Sequence, residues 1–195
     1  MKNSRQLKKG GVRGRKWKVL SSSYVLKTPW LKVKKDKVRL PNGKIIDDFF
    51  SVEGNELVAL LAVNDSKEVL LVKQYRHAVG QETFDLPGGA VRKNETPIAA
   101  AKRELAEETG YSARQLKKMI TYYPDSGKKG DVKHIFLAEG LKHISKIANG
   151  GEEDEEILSI KWLPLSEIDK GIARGKLKEA TLQLAVLYYI RYSLK

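Results

Sequence analysis

The hydrophobic positions along the chain change their spacing several times, and each spacing predicts a different element. Residues 57–63 and 69–72 are continuous apolar runs, which are typical of strands covered on both faces. Between residues 17 and 46, apolar side chains alternate with lysines, as in the half-exposed strands of a meander. Residues 179–192 are apolar almost all round and predict a buried final helix. We therefore expect an α/β protein with a small antiparallel β meander at its N-terminal end.

The central helix has the clearest boundary signals in the chain. Thr96 offers a hydroxyl N-cap, and Pro97 suits the first helical position. Good helix formers follow, and Gly110 suits a left-handed cap at the end. Just before this helix, residues 87–89 (Pro-Gly-Gly) predict a sharp turn at which the backbone can approach a ligand closely.

Three glutamates on the predicted helix form the main candidate for a chemical site. Glu104, Glu107 and Glu108 are spaced i, i+3 and i+4, so their carboxylates share one helical face. A hard divalent cation such as Mg²⁺ is the simplest way to relieve their repulsion. The neighbouring Arg103 can hold one glutamate through a bidentate pair. An acidic face that is merely solvated remains the alternative.

The charge of the chain is concentrated at one end. The net charge is +13; residues 1–46 hold 15 Lys/Arg and one acid, whereas the other 149 residues hold 22 basic and 23 acidic side chains. Such a field attracts nucleotides, nucleic acid or anionic membrane, but a lysine-rich composition that keeps the protein soluble is the interpretation we favour. The absence of cysteine excludes disulfides and thiolate chemistry. With no membrane-length apolar run and no apolar signal core, we expect a cytoplasmic protein without a membrane partner.

These changes of composition predict three parts. Residues 1–16 form a flexible basic tail, residues 17–52 an N-terminal β subdomain, and residues 53–195 the main domain. The β subdomain is too small and too thinly apolar to be stable by itself. We therefore expect it to pack on the main domain or on a second copy of the chain.

The stretch from Gly89 to Tyr111 resembles the Nudix box of the Nudix hydrolases at every fixed position. It reads Gly89, five residues, Glu95, seven residues, and then Arg-Glu-Leu-Ala-Glu-Glu-Thr-Gly-Tyr. The resemblance implies an α/β/α sandwich and a pyrophosphatase that splits a nucleoside diphosphate linked to another moiety, with Mg²⁺ or Mn²⁺ as cofactor.

The same resemblance implies roles for residues in and beside the box. The Gly88 carbonyl, Glu104, Glu107 and Glu108 are the implied metal ligands. Arg103 and Glu107 are counted among the catalytic residues. Gly89 and Glu95 have supporting roles, and Glu95 is expected to pair with Arg103 and orient the cluster.

Two further stretches look like the ADP-ribose pyrophosphatase branch of the family: residues 74–79, which include Gln-Tyr-Arg, and the acidic run 152–156. By this resemblance the general base comes from the acidic run, with Glu153 the best match and Glu155 next. Members of the branch are domain-swapped homodimers whose N-terminal sheets complete the partner's substrate pocket, which implies a homodimer here. The resemblance implies that Arg76 contacts the substrate diphosphate. Trp30 and Phe49 are candidates to stack on a nucleobase because they are aromatic, and Glu82 and Gly127 are further candidate substrate contacts.

The substrate stays open at this point. ADP-ribose is the first choice and other nucleoside diphosphate sugars follow closely, because residues 85–89 read Asp-Leu-Pro-Gly-Gly where ADP-ribose hydrolases commonly have Glu-Leu-Pro-Ala-Gly. The expected products are a nucleoside monophosphate and a sugar phosphate. One alternative is a Nudix hydrolase of a damaged nucleoside triphosphate, a dinucleoside polyphosphate or capped RNA. The other is a non-catalytic nucleotide- or RNA-binding module, with nucleic acid as the less favoured partner.

Overall fold

The structure is a computed structural model that describes residues 16–144 and 157–193. The chain divides into two compact units, Met1–Glu53 with Asp125–Gly130, and Gly54–Pro124 with Asp131–Lys195. The short segment Asp125–Gly130, which the sequence assigned to the main domain, is therefore part of the first unit.

The first unit contains a three-stranded antiparallel sheet in the order β1-β2-β3, with β1 at Lys18–Lys27, β2 at Lys32–Arg39 and β3 at Ile45–Val52. The turn between β2 and β3 places Gly43 at φ 87°, a conformation that glycine adopts without strain. The antiparallel N-terminal meander predicted from the alternating pattern is confirmed.

The described residues of the second unit form six strands and three helices. Two three-stranded sheets have the orders β4-β8-β7 and β6-β5-β9; β4 and β8 are parallel, and the other pairs are antiparallel. The elements are β4 Glu56–Ala62, β5 Glu68–Arg76, β6 Gln81–Asp85, α1 Pro97–Thr109, β7 Tyr111–Tyr122, β8 Val132–His143, β9 Ile157–Pro164, α2 Leu165–Ala173 and α3 Ala180–Tyr192.

Strand β4 passes between two hydrophobic clusters of the second unit. Ala59 and Leu61 pack in the cluster that contains the buried residues of α2 and α3. Val58 and Leu60 pack in the cluster that contains the buried residues of α1. Because successive side chains of a strand point to opposite faces, β4 is buried on both faces, as its apolar run predicts. Helices cover both sides of the central strands, and the predicted α/β/α sandwich is confirmed.

The final helix differs from its prediction. Leu182, Val186 and Tyr189 are buried, but Leu187 and Tyr192 are 48% and 63% exposed. The helix is therefore buried along one face, and the prediction of a helix buried all round is wrong. Tyr192 shares its exposed end with Tyr188, whose ring centroid lies 4.8 Å away, so aromatic pairing accounts for part of the apolar pattern.

In the part of the chain that the structure describes, no helix has the length and apolar character needed to cross a membrane.

Candidate active site

The turn before α1 is held along β4 by backbone hydrogen bonds. The Val58 N–H donates to the Gly89 carbonyl at 2.9 Å, and the Leu60 N–H donates to the Pro87 carbonyl at 2.8 Å. A Cβ atom on Gly88 would lie only 2.2 Å from the Val58 carbonyl oxygen. Glycine at position 88 is therefore what lets the turn lie this close to the strand.

The boundaries of α1 match their sequence signals. The Thr96 hydroxyl accepts a hydrogen bond from the Ala99 N–H at 3.3 Å, and Pro97 is the first residue of the helix. Gly110 ends it with φ 71°, and its N–H donates to the Ala106 carbonyl at 3.0 Å. The helix start and end are thus fixed by residues close in sequence.

Two of the three helix glutamates are buried beside the glycine turn. Glu104 is 8% exposed and Glu108 is 2% exposed. One Glu108 carboxylate oxygen accepts a hydrogen bond from the Gly88 N–H at 2.8 Å. The Glu104 carboxylate lies against Gly89, where an added Cβ would come within 2.5 Å of Oε1. Burial raises the pKa of Glu104, while the nearby Arg103 guanidinium opposes that shift. Gly89 therefore makes room for the Glu104 carboxylate, while the Gly88 N–H binds the Glu108 carboxylate.

The Arg103 guanidinium joins the acidic side chains around it. Its Nε and Nη2 donate to the two carboxylate oxygens of Glu95, each at 3.0 Å, which is a bidentate pair. Its Nη1 donates to Glu104 at 2.7 Å and to Glu107 at 3.1 Å, and Nη2 also donates to the Ala90 carbonyl at 3.0 Å.

This pairing sets the protonation of both partners. The hydrogen bonds from Arg103 lower the pKa of Glu95 to about 2. The hydrogen bond with Glu95 in turn raises the pKa of Arg103, with Glu104 and Glu107 adding to the shift. The contact that the resemblance implies between Glu95 and Arg103 is present, and both groups stay charged across the physiological pH range.

Glu107 is the outermost of the three glutamates, with a half-exposed side chain. Besides Arg103 it contacts Arg92, with 3.5 Å between Nη2 and Oε2. Arg92 was not among the candidate site residues from the sequence. Its position in the loop between Gly89 and Glu95 was the one signal that could have indicated it.

Within residues 16–144 and 157–193, no three acidic or histidine side chains converge as a preformed metal site would require. The carboxylates of Glu104 and Glu107 are instead paired with Arg103. The donor chemistry nevertheless fits a hard divalent cation. Glu104 and Glu108 are buried anionic oxygen donors on adjacent positions of one helical face, and buried carboxylates need a compensating positive charge.

Arg76, the candidate diphosphate contact, ends strand β5 next to a buried acid. Its Nη2 lies 3.7 Å from Oδ2 of Asp85. The other Asp85 oxygen accepts a hydrogen bond from the Leu86 N–H at 2.7 Å. Burial raises the pKa of Asp85. Asp85 was noted in the sequence only as a difference from related enzymes, and its burial beside Arg76 became visible only in the structure.

Glu82, another substrate candidate, lies on the other face of the same ladder. The β5–β6 register places Arg76 opposite Gln81 and Tyr75 opposite Glu82, so the Arg76 and Glu82 side chains alternate to opposite faces. Glu82 forms an ion pair with Lys73. The structure does not bring these two candidates together.

The other substrate candidates belong to the first unit. Trp30 is 75% exposed between β1 and β2. Phe49 on β3 has its ring 5.4 Å from the Trp17 ring and 4.6 Å from the Lys128 ammonium. Gly127 lies in the segment Asp125–Gly130. The two candidates for the general base, Glu153 and Glu155, lie outside the described residues.

Comparison with known proteins identifies the family. Residues 55–183 match the NUDIX domain, and residues 17–52 match the nucleoside diphosphate sugar hydrolase N-terminal domain. The chain therefore belongs to the Nudix family, within its pyrophosphatases.

Individual relatives agree with this assignment. The chain is 31% identical to the ADP-ribose pyrophosphatase of Bacillus subtilis (strain 168) over 78% of this chain and 81% of that protein. It is 30% identical to the GDP-mannose pyrophosphatase of Citrobacter koseri over 88% of this chain and 91% of that protein. A solved structure, described as an ADP compounds hydrolase, superimposes with a TM-score of 0.80 at 20% identity, covering 91% of this chain and 94% of that one. This structural likeness supports the fold.

Proposed function

We propose that this protein hydrolyses the diphosphate bond of a nucleoside diphosphate sugar, with ADP-ribose as the first choice of substrate. The products would be a nucleoside monophosphate and a sugar phosphate. The observation that carries the proposal is the burial of Glu104 and Glu108 against the glycine turn, with Arg103 between the acidic groups. The names of the relatives, which include ADP-ribose and GDP-mannose pyrophosphatases, support the substrate class.

The proposed cofactor is Mg²⁺ or Mn²⁺, and the residues that would hold it are Glu104, Glu107, Glu108 and the Gly88 carbonyl. When bound, such an ion neutralises the diphosphate and lowers the pKa of a water molecule. The protein's own part is to hold the ligands in place. The Gly88 N–H, for example, donates a hydrogen bond that holds one carboxylate oxygen of Glu108 in place.

Arg103 is the proposed positioning residue of the cluster. Its bidentate pair with Glu95 keeps the guanidinium in one orientation, and Nη1 then reaches Glu104 and Glu107. Loss of this pair would let both glutamates change rotamer, since side chains that share one hydrogen-bonding partner are coupled.

Substrate contacts are assigned to residues on several elements. Arg76 would bind the diphosphate, because a guanidinium recognises phosphate oxygens through two parallel hydrogen bonds. Glu153, or else Glu155, would be the general base, as the resemblance implies. Further proposed contacts to the sugar and the base come from Glu82, Trp30, Phe49 and Gly127.

We also propose a cytoplasmic homodimer, in which the first unit contacts a second copy of the chain. This unit leaves several large apolar side chains exposed, and exposed apolar surface is a feature of protein–protein interaction sites. They include Trp17, Val19, Tyr24, Val25, Trp30 and Leu31. Sedimentation at several protein concentrations would test this, and a monomer at all of them would contradict it.

The test of the activity is phosphate release in a coupled phosphatase assay with Mg²⁺. The substrates are ADP-ribose, ADP-glucose, GDP-mannose, UDP-glucose, a dinucleoside polyphosphate and 8-oxo-dGTP. The test variant is Glu108→Gln, and the matched control is Glu167→Gln, which changes an exposed glutamate in the first turn of α2. We expect metal-dependent turnover of the diphosphate sugars that Glu108→Gln reduces at least about 100-fold, while Glu167→Gln leaves it unchanged. Turnover of only the triphosphate, or equal activity of both variants, would contradict the proposal.

A further inference from the structure

The cations of strand β2 lie on two opposite faces of the sheet in the first unit. Alternate side chains of a strand lie on opposite faces. Lys34 lies on the same face as the buried Val38, which we call the inner face. Lys35, Lys37 and Arg39 lie on the opposite, outer face, and all three are exposed.

The two inner-face lysines share an acidic partner within the unit. Glu53 accepts from Lys34 at 3.0 Å, from Lys32 at 3.2 Å and from the Tyr24 hydroxyl at 2.6 Å. These contacts, the Tyr24 hydrogen bond foremost, lower the pKa of Glu53 to about 2. The inner face therefore already contains a counter-charge for its lysines.

The outer face combines cations with an exposed aromatic ring. The register places Lys18 opposite Arg39 and Phe50 opposite Lys35, and the Lys35 ammonium lies 5.8 Å from the centre of the Phe50 ring. Among the described residues, Lys37 is the one outer-face cation with an ion pair, at 2.7 Å from Asp47.

Edge protection does not account for this row of cations. Lysines commonly guard the free edges of sheets, but β2 is the central strand of the order β1-β2-β3. Like charges that share one face of a sheet repel each other. The described residues of the unit hold 11 Lys/Arg against five Asp/Glu, so the repulsion is not balanced by the unit's own acids. An extended polyanion laid along the outer face would relieve it.

We propose that the outer face of the N-terminal sheet binds single-stranded nucleic acid, as an activity separate from hydrolysis of a nucleotide substrate. Proteins that bind single strands without sequence preference combine a row of cations for the phosphates with aromatic rings on which bases stack. Successive outward positions of β2 are about 6.8 Å apart, which forms a linear row along the strand. Phe50 beside Lys35 supplies the stacking surface, and this favours a single strand over a duplex, whose bases are already stacked.

The test measures fluorescence anisotropy of a labelled oligouridine with the full chain. One variant combines Lys35→Gln, Lys37→Gln and Arg39→Gln. The matched control removes three exposed lysines of the second unit through Lys102→Gln, Lys117→Gln and Lys118→Gln. The N-terminal tail is present in both, so a difference between them reports on the sheet.

The outer-face variant should bind oligouridine at least tenfold more weakly, whereas the control should bind within about threefold of the unmodified chain. Between about 50 and 200 mM salt, loss of three phosphate contacts should reduce the slope of log K against log salt by about 2. Phe50→Leu, which keeps the apolar volume, should weaken binding by about tenfold through lost stacking. Activity on ADP-ribose should be unchanged in each variant. This measurement also serves as the control that each variant is folded.

Three outcomes would overturn the proposal. The first is equal loss of binding in the outer-face and control variants, which would indicate a response to net charge alone. The second is full binding by Phe50→Leu. The third is preference for phosphatidylserine vesicles over oligouridine at the same salt concentration, which would identify a membrane surface. If the triple variant does not fold, the single variant Arg39→Gln is compared with the single control Lys102→Gln. Each of these removes one positive charge.

Discussion

A methyl group added at Gly89 should disable the site while the fold remains. The Cβ atom of Gly89→Ala would lie 2.5 Å from Oε1 and 2.8 Å from Cδ of Glu104. Ordinary carbon contacts are about 3.5 Å, so the carboxylate must withdraw by about 1 Å. The backbone can accept alanine, because Gly89 is not among the glycines with positive φ. The strain therefore falls on one side chain, Glu104.

The displaced carboxylate is the one that Arg103 holds at 2.7 Å. A misplacement of about 1 Å in a catalytic group can cost about 100-fold in rate. We expect kcat/KM for ADP-ribose to fall by about that factor at saturating Mg²⁺. The free energy of unfolding should fall by only about 1 kcal/mol, the lower end of the cost of overpacking, because the obstructing atoms end a flexible side chain.

Gly88 provides the contrast, since its neighbours cannot move in this way. A Cβ there would meet the Val58 carbonyl oxygen at 2.2 Å and the Ala59 Cα at 2.7 Å, both backbone atoms of a buried strand. Gly88→Ala should therefore lose about 3 kcal/mol of stability or more. Urea denaturation and steady-state kinetics on both variants separate the two effects. The reasoning is refuted if Gly89→Ala keeps kcat/KM within threefold of the parent, or if it is destabilised as much as Gly88→Ala.

Two further predictions concern the same loop and helix. Thr96→Ala should lower the free energy of unfolding by about 1 kcal/mol, because the N-cap bond to the Ala99 N–H is lost, while Thr96→Ser should retain most of it; equal urea midpoints for both variants would contradict this. Arg103 depresses the pKa of Glu95 from 4.5 to about 2, so this pair contributes stability above about pH 4.5 that is lost as the pH falls towards 2. The stability difference between the parent and Glu95→Gln should therefore shrink over that interval, and a constant difference from pH 7 to pH 3 would exclude the linkage.

Much of the second unit could be predicted because its signals are local or repetitive. The apolar run at 57–63 predicts a strand buried on both faces, and β4 is such a strand. The sequence did not predict that α3 is buried along only one face. An apolar residue type does not show whether a neighbouring element covers the side chain. Leu187 and Val186 look equivalent in the sequence, yet one is exposed and the other is buried.

The sequence by itself determined the start and end of α1 and the common face of its glutamates. Those features depend on residues within a turn or two of each other, such as the cap at Thr96 and the left-handed Gly110. Only the tertiary structure decided how the glutamates differ in burial and in hydrogen-bonding partners. The hydrogen bond from Gly88 to Glu108 joins positions 20 residues apart, and it forms because β4 holds the turn against the helix. Burial and partnership depend on such distant contacts, so Glu108 is fully buried and Glu107 half exposed although the sequence presents them as neighbours.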